Sequence, residues 1–268
     1  EHIAFVRAGS HEVGHLTELP MTRAAVAVVA RNVDTLRRAL GDTPLLLENV
    51  ARGFLWPDDA HEMDEGTFLH EIAEATGCPL LLDVGNLYAN AVNAGLDPAE
   101  ALARCPLHRV AMLHVAGGVW EDGFYFDTHG HPVPEAVFAL TAAARARCPT
   151  AALLLERDSH LDDPAPVLAE LDRLAALPAR TTPGPAMQPP RAPQPHDLDP
   201  GLEAQQHDLA RRLVATDPDP HPAIARAQRM LVGKRADDAL PLLPHLGPRL
   251  DRDRAVALGA LDTRPRSA

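Results

Sequence analysis

The sequence has 268 residues, 46% hydrophobic but only 4% aromatic, enough for an aliphatic core in one large domain or two small ones. Its 37 acids against 25 Lys and Arg give a net charge of −12, which argues against a nucleic-acid or anionic-membrane partner. No apolar run approaches the ~20 residues that span a bilayer, no signal-peptide pattern opens the sequence, and Cys78, Cys105 and Cys148 are too scattered for a disulfide framework or zinc knuckle, so a reducing cytoplasm is expected.

Glu1-His2-Ile3-Ala4-Phe5 reads as the end of a strand. Val26, Val29, Val33, Leu36 and Leu40 then recur at helical spacing and form one apolar stripe. Four aliphatic runs end in polar residues: Leu45-Leu46-Leu47-Glu48-Asn49, Leu80-Leu81-Leu82-Asp83, Val110-Ala111-Met112-Leu113-His114 and Leu153-Leu154-Leu155-Glu156. Such runs suit strands buried on both faces, as in a parallel sheet. Helical segments 67–76, 134–147 and 164–177 alternate with them, and Asp97-Pro98-Ala99-Glu100 is a capping box with proline at the first helical position. Strands joined by helices imply right-handed crossovers and an α/β fold.

No glycine-rich phosphate loop follows a strand, and polar residues stand at every strand end. A TIM-type (β/α) barrel is therefore expected over a doubly wound sheet. An eight-stranded barrel takes ~250 residues. Only residues 1–180 show the pattern, so the barrel is expected to be N-terminally incomplete here, by roughly three βα units. Residues 181–200 carry seven prolines and read as an extended linker. Residues 201–268 read as a small helical C-terminal module, with Leu202, Leu209, Leu213, Ile224, Ala227, Met230 and Leu231 at helical spacing. The acidity belongs to residues 1–180, where 26 acids face 13 bases.

The strand ends present His2, Glu48 with Asn49, Asp83 with Asn86, His114, and Glu156 with Asp158. In a parallel barrel these converge on one face. Two carboxylates ~4 Å apart repel by about 4 kcal/mol at an effective dielectric of 20, so a cation is the economical neutraliser. Asn86 suits either a ligand or an N-cap. In Phe124-Tyr125-Phe126-Asp127-Thr128-His129-Gly130-His131-Pro132, Asp127 and His129 stand two apart in an extended segment and point to the same side. His11, His15, His61, His70, His108 and His160 read as partnerless surface residues in helices or loops, and the cysteines as small buried hydrophobes. Imidazole and carboxylate without thiolate suit iron, manganese or catalytic zinc, and so many ligands suit two or three ions.

Glu1-His2, Leu47-Glu48-Asn49, Leu82-Asp83-Val84-Gly85-Asn86-Leu87-Tyr88-Ala89-Asn90, Leu113-His114-Val115-Ala116-Gly117-Gly118, Asp127-Thr128-His129-Gly130-His131-Pro132-Val133 and Leu155-Glu156-Arg157-Asp158 occur in order. In these segments residues 1–178 resemble the multinuclear non-haem iron-dependent oxidative enzymes (MNIO) of the MbnB type. The resemblance implies a TIM barrel with two or three mixed-valent irons held by His2, Glu48, Asp83, Asn86, His114, Asp127, His129 and Glu156. It further implies one histidine ligand from a strand ahead of Glu1. Glu48, Asp83, His114, Asp127 and His129 would be the catalytic set. The implied reaction is RiPP biosynthesis, the dioxygen-dependent oxidation of cysteines in a ribosomally made precursor peptide. A peptide-presenting partner protein is implied too, and residues 201–268 are a candidate for a fused one.

Two other readings compete. A metal-dependent isomerase or hydrolase of the xylose-isomerase-like barrel type would share His, Glu and Asp at strand ends. Its isomerase form wants a catalytic lysine, and the only lysine is Lys234, in the tail. The other reading is an inactive truncated scaffold that binds a partner through the tail.

Overall fold

A computed structural model describes residues 1–53, 56, 60–178, 200–215 and 217–239. The proline-rich stretch up to residue 199 and the tail from 240 lie outside the described residues. In chain order the elements begin with β1 (Ala4–Ala8), β2 (His11–Glu18), α1 (Arg23–Leu40), β3 (Leu47–Glu48), α2 (Glu65–Thr76), β4 (Leu80–Asp83), α3 (Val84–Asn93) and α4 (Pro98–Arg104). They continue with β5 (Val110–Val115), β6 (Val119–Glu121), β7 (Phe124–Phe126), α5 (Glu135–Arg147), β8 (Ala152–Leu155), α6 (Ala165–Ala175), α7 (Pro200–Leu213) and α8 (Pro222–Ala239).

The chain divides into two compact units. The first takes Glu1–Ala4, Glu18–Arg52 and the chain from Trp56. It is mixed α/β. Strands β3, β4, β5 and β8 pair in that order, all parallel, with Leu82 opposite Leu113, Asp83 opposite His114, and His114 opposite Leu154. Leu80, Leu82, Leu113 and Val115 are buried in the sheet, as uninterrupted aliphatic strands require when both faces are covered.

The opening residues behave as a strand end: His2 bridges Glu48 in parallel, with Ile3 N donating to Glu48 O at 2.8 Å. The barrel expected from the pattern is an N-terminally incomplete one, and among the described residues the sheet is not closed. Four strands and one bridge are too few to close, and β8 ends the sheet with Leu154 47% exposed.

Local chemistry sets the helix ends. Thr22 Oγ1 accepts from Ala25 N to start α1, and Asp64 accepts from Thr67 N to start α2. Asp97 accepts from Ala99 N to start α4, with Pro98 first in the helix. On α1 the stripe buries Val26, Val29 and Val33, while Leu40 at the last turn is exposed. Cys78, Cys105 and Cys148 are all buried, and burial pushes each thiol up, Cys105 to about 12.

The second unit takes Phe5–Thr17, Gly53 and the described residues from Pro200. It holds a hairpin of β1 and β2 and the helices α7 and α8. Leu202, Leu209 and Leu213 of α7 and Ile224, Ala227 and Leu231 of α8 are buried. Arg212 grips Asp219 through Nε at 2.8 Å and Nη2 at 2.7 Å, and Gln228 Nε2 donates to Arg212 O at 2.7 Å. The hairpin escaped the sequence reading, and it corrects the placement of His11 and His15, which lie on β2. Among the described residues no helix is long and apolar enough to cross a membrane.

Candidate metal centre

The C-terminal ends of the parallel strands carry the site. Glu48 closes β3, Asp83 closes β4, His114 is next to last in β5, and Glu156 follows β8 with its N–H on Val115 O at 3.0 Å. Asp127 and His129 enter from the loop after β7. The Asp127–His129 segment is not extended as expected: His129 has φ of 52°, in the left-handed region. The two side chains meet all the same, with His129 Nε2 2.5 Å from Asp127 Oδ2. His131 stays outside, its Nδ1 on Thr128 Oγ1 at 2.7 Å.

His114 is the hub. Its Nδ1 lies 2.9 Å from Glu48 Oε1 and 3.4 Å from Asp83 Oδ2, and its Nε2 lies 3.0 Å from Glu156 Oε2. His129 shares two of these partners, with Nδ1 2.8 Å from Glu156 Oε2 and Nε2 3.7 Å from Asp83 Oδ2. His2 Nε2 reaches Glu48 Oε2 at 3.2 Å. Of the eight residues assigned as ligands from the sequence, seven thus form one connected cluster. The eighth, Asn86, neighbours Asp83. Its backbone N–H donates to Asp83 Oδ1 at 2.8 Å, so Asp83, not Asn86, caps α3. The Asn86 amide nitrogen donates to Asn49 O at 3.0 Å, which leaves only its amide oxygen for coordination. Asp158 was read at a strand end but not as a ligand; its Oδ2 lies 4.0 Å from His129 Nδ1.

Three donor triads emerge: Glu48, Asp83 and His114; Asp83, Asp127 and His129; and His129, Glu156 and Asp158. Asp83 belongs to the first two and His129 to the last two. That sharing is the arrangement a cluster of adjacent cations requires. The fit to cations also rests on the carboxylates themselves, since Asp83 Oδ2 and both Asp127 oxygens are buried and meet no polar partner but the His114 and His129 rings. Buried charges are otherwise paired or on metal. The residues therefore suit two or three ions of the His/carboxylate class.

Electrostatics agree. Burial opposes charging His114, but hydrogen bonds to Asp83 and Glu48 and the charges of Asp83 and Glu156 override it and raise the ring to about 10. Burial likewise opposes His129, and Asp127, Asp83 and Glu156 raise it to about 9. Asp127 is pushed up, first by burial and then by the charge of Asp83, against the pull of His129. Protons on the imidazoles occupy the place that cations would take.

An asparagine lattice holds the carboxylates in position. Asn49 Nδ2 donates to Asp83 O at 3.0 Å and Asp83 N donates to Asn49 Oδ1 at 2.8 Å. Asn90 Nδ2 donates to Val50 O at 3.0 Å and to Glu65 Oε1 at 3.0 Å, while its Oδ1 accepts from Arg52 N at 2.7 Å. Burial pushes the Glu65 carboxyl up, against Arg52 and Asn90. Asn90 and Glu65 carried no sequence signal beyond their place in a motif and on an amphipathic helix. Gly85 leaves space that a Cβ would fill, 3.0 Å from Asp127 Oδ1 and 3.2 Å from Asp83 Oδ1.

The histidines read as partnerless need correction. His61 Nδ1 accepts from Met21 N at 3.1 Å, and His160 Nδ1 pairs with Gly130 O at 2.7 Å. His70 and His108 face one another, with ring centroids 6.2 Å apart.

Residues 1–179 match the protein family described as RiPP precursor modification enzyme MbnB/TglH/ChrH. A UPF0276 protein of Streptomyces avermitilis is 44% identical over 178 residues, covering 64% of this chain and 36% of that protein. One from Caulobacter vibrioides is 39% identical over 172 residues, 64% of this chain and 60% of its own length. A third, from Bordetella bronchiseptica, is 39% identical over 185 residues, 67% and 63% respectively. The chain thus spans less than two thirds of each of these relatives.

Proposed function

Because this chain belongs to the MbnB/TglH/ChrH family of RiPP precursor modification enzymes, we propose that it uses two or three irons and dioxygen to oxidise cysteines of a ribosomally made precursor peptide. The carrying observation is the sharing of Asp83 and His129 among three donor triads, with the Asp83 and Asp127 carboxylates buried against imidazoles. The ligand set of this reading is His2, Glu48, Asp83, Asn86, His114, Asp127, His129 and Glu156, on a TIM-type barrel in the cytoplasm. Iron bound there would supply the redox chemistry, with cysteine oxidised and dioxygen reduced.

The chain's own residues do the rest. Glu48, Asp83 and Asp127 provide fixed negative charge in a dry setting, where it acts most strongly. Glu48 and Asp83 are set before any ligand arrives by their strand ends, and Asp83 also by Asn49. The side chains of Glu156, His2 and Asp158 are progressively more exposed, at 32%, 44% and 63%, and mark the side from which a peptide would approach. Residues 201–268 would present the peptide.

Metal analysis of protein purified without oxygen tests the reading. Two or more irons per chain are expected, and Glu48→Ala and Asp127→Ala should each lower that number. One zinc or manganese per chain would favour the isomerase or hydrolase, and full iron with full activity in both variants would overturn the ligand assignment. Deleting residues 196–268 should abolish peptide binding and leave iron bound; loss of both, or of neither, rejects the presenting role.

A further inference from the structure

We propose that His70, Glu74 and His108 form a second cation site, for zinc(II), away from the centre described above. His70 and Glu74 stand four apart on α2 and so share one face of that helix. His108 lies in the short 3-10 turn Leu107–Arg109 that leads into β5. One ring nitrogen of each histidine and a carboxylate oxygen of Glu74 all lie within 4.8 Å of one another, and all three residues are exposed. An ion held at ~2.0–2.2 Å from each donor would draw these three atoms together.

The backbones that carry the donors are already fixed together. Arg109 Nη2 donates to Ala73 O at 2.9 Å, tying the turn to the residue before Glu74. Leu107 is buried on one side, and Phe68, Leu69, Ile72 and Ala73 bury the opposite face of α2. Arg109 Nε also stands 3.9 Å from Glu74 Oε1, with the Glu74 side chain about half exposed. A contact that long and that wet is weak and does not hold the carboxylate away from a metal.

The donor chemistry selects the ion. Two imidazoles and one carboxylate with open water positions suit zinc; calcium and magnesium want oxygen alone. The site is separate from the iron ligands by topology. His108 precedes β5, whereas His114 sits near its C-terminal end, and the four steps from Val110 to His114 rise by roughly 13 Å. An ion at His108 would cross-link α2 to the entrance of β5, and its predicted effect is stabilisation of the fold rather than turnover.

The full chain, as purified with its own metal, is titrated with zinc sulfate, desalted, and assayed for zinc per chain by mass spectrometry. Wild type should retain one more zinc than His70→Ala or His108→Ala, the double variant should lose no more than either single one, and Glu74→Gln should weaken binding about tenfold. Zinc should also raise the melting temperature of wild type but of neither histidine variant. His70→Gln and His108→Gln, which keep a polar side chain, should give the same counts as the alanine variants. Equal zinc in wild type and the histidine variants would overturn the proposal, as would an equal thermal shift.

Discussion

Asn49 and Asp83 grip each other in both directions, side-chain amide to backbone. Nδ2 of Asn49 gives a proton to the Asp83 carbonyl at 3.0 Å, and the Asp83 N–H returns one to Oδ1 at 2.8 Å. The pairing continues the β3–β4 ladder by one side-chain rung, and it fixes the carboxylate that two donor triads share. Asn49→Leu fills the space but leaves the buried Asp83 N–H and C=O without these partners, at about 1–3 kcal/mol for each group. The expected result is a lower denaturation midpoint together with less bound metal. Unchanged metal content in a destabilised protein would show that the rung supports the fold alone.

Shared ligands should matter more than terminal ones. Asp83 joins two triads, whereas Asp158 is exposed and only 4.0 Å from His129. Asp83→Ala should therefore cut metal content by more than one ion's worth, and Asp158→Ala should leave it nearly intact. Elemental analysis of the two variants side by side checks the order.

Proton linkage gives a signed pH dependence. With no metal bound, His114 and His129 are raised from about 6.5 to about 10 and about 9 in the folded state. A raised imidazole stabilises the fold fully below the unfolded value, and that contribution is lost as pH climbs through the folded one. The stability of metal-free protein should thus fall between about pH 6.5 and pH 10. Asp127, pushed up by burial, adds a loss of the same sign as pH rises. Metal uptake should tighten over the same alkaline interval, because each ring gives up its proton to coordinate. Thermal melts of chelator-treated and loaded protein across this range test both halves; a flat metal-free curve would contradict them.

The strand ends were legible because aliphatic runs of four or five residues stop at a polar side chain, and a parallel sheet leaves those stops on one side. Glu48, Asp83, His114 and Glu156 followed from that pattern alone. The β1–β2 hairpin was not legible: AFVRAGSHEVGHLTE mixes charge and apolar residues without clean alternation, and Gly9 at its turn looks like any loop glycine. Nor was the mutual approach of His70, Glu74 and His108, since the third donor comes from another element and no spacing announces it. Asp127 and His129 met for a reason other than the expected one, a left-handed backbone at His129 in place of an extended segment.

Gly85 sits where a side chain would press on the centre. A Cβ there would stand 3.0 Å from Asp127 Oδ1 and 3.2 Å from Ala116 O, tighter than ordinary contact. Gly85 is inside α3, where alanine is otherwise favoured by up to about 1 kcal/mol. Gly85→Ala should then keep or slightly change the melting temperature of metal-free protein while weakening metal binding through Asp127. A variant that binds metal normally would mean that Asp127 has room to retreat.

Arg157 and Glu170 secure the far side of the site. Their side chains are 5% and 9% exposed and meet at 2.6 Å, and Glu170 Oε1 also accepts from Val133 N at 2.8 Å. One carboxylate thus joins the residue after Glu156 to α6 and to the loop that follows His131. Truncating a buried pair on one side strands the other charge, which costs about 3–5 kcal/mol. Glu170→Ala should therefore destabilise strongly, while Glu170→Gln, which can still accept from Val133 N, should lose less. Because Glu156 and His129 flank this brace, Glu170→Gln should also loosen the most exposed triad first. Metal bound by His129, Glu156 and Asp158 would then exchange faster than metal held by Glu48, Asp83 and His114, as chelator-competition kinetics would reveal; equal exchange at the two positions would show that the brace serves the fold without reaching the centre.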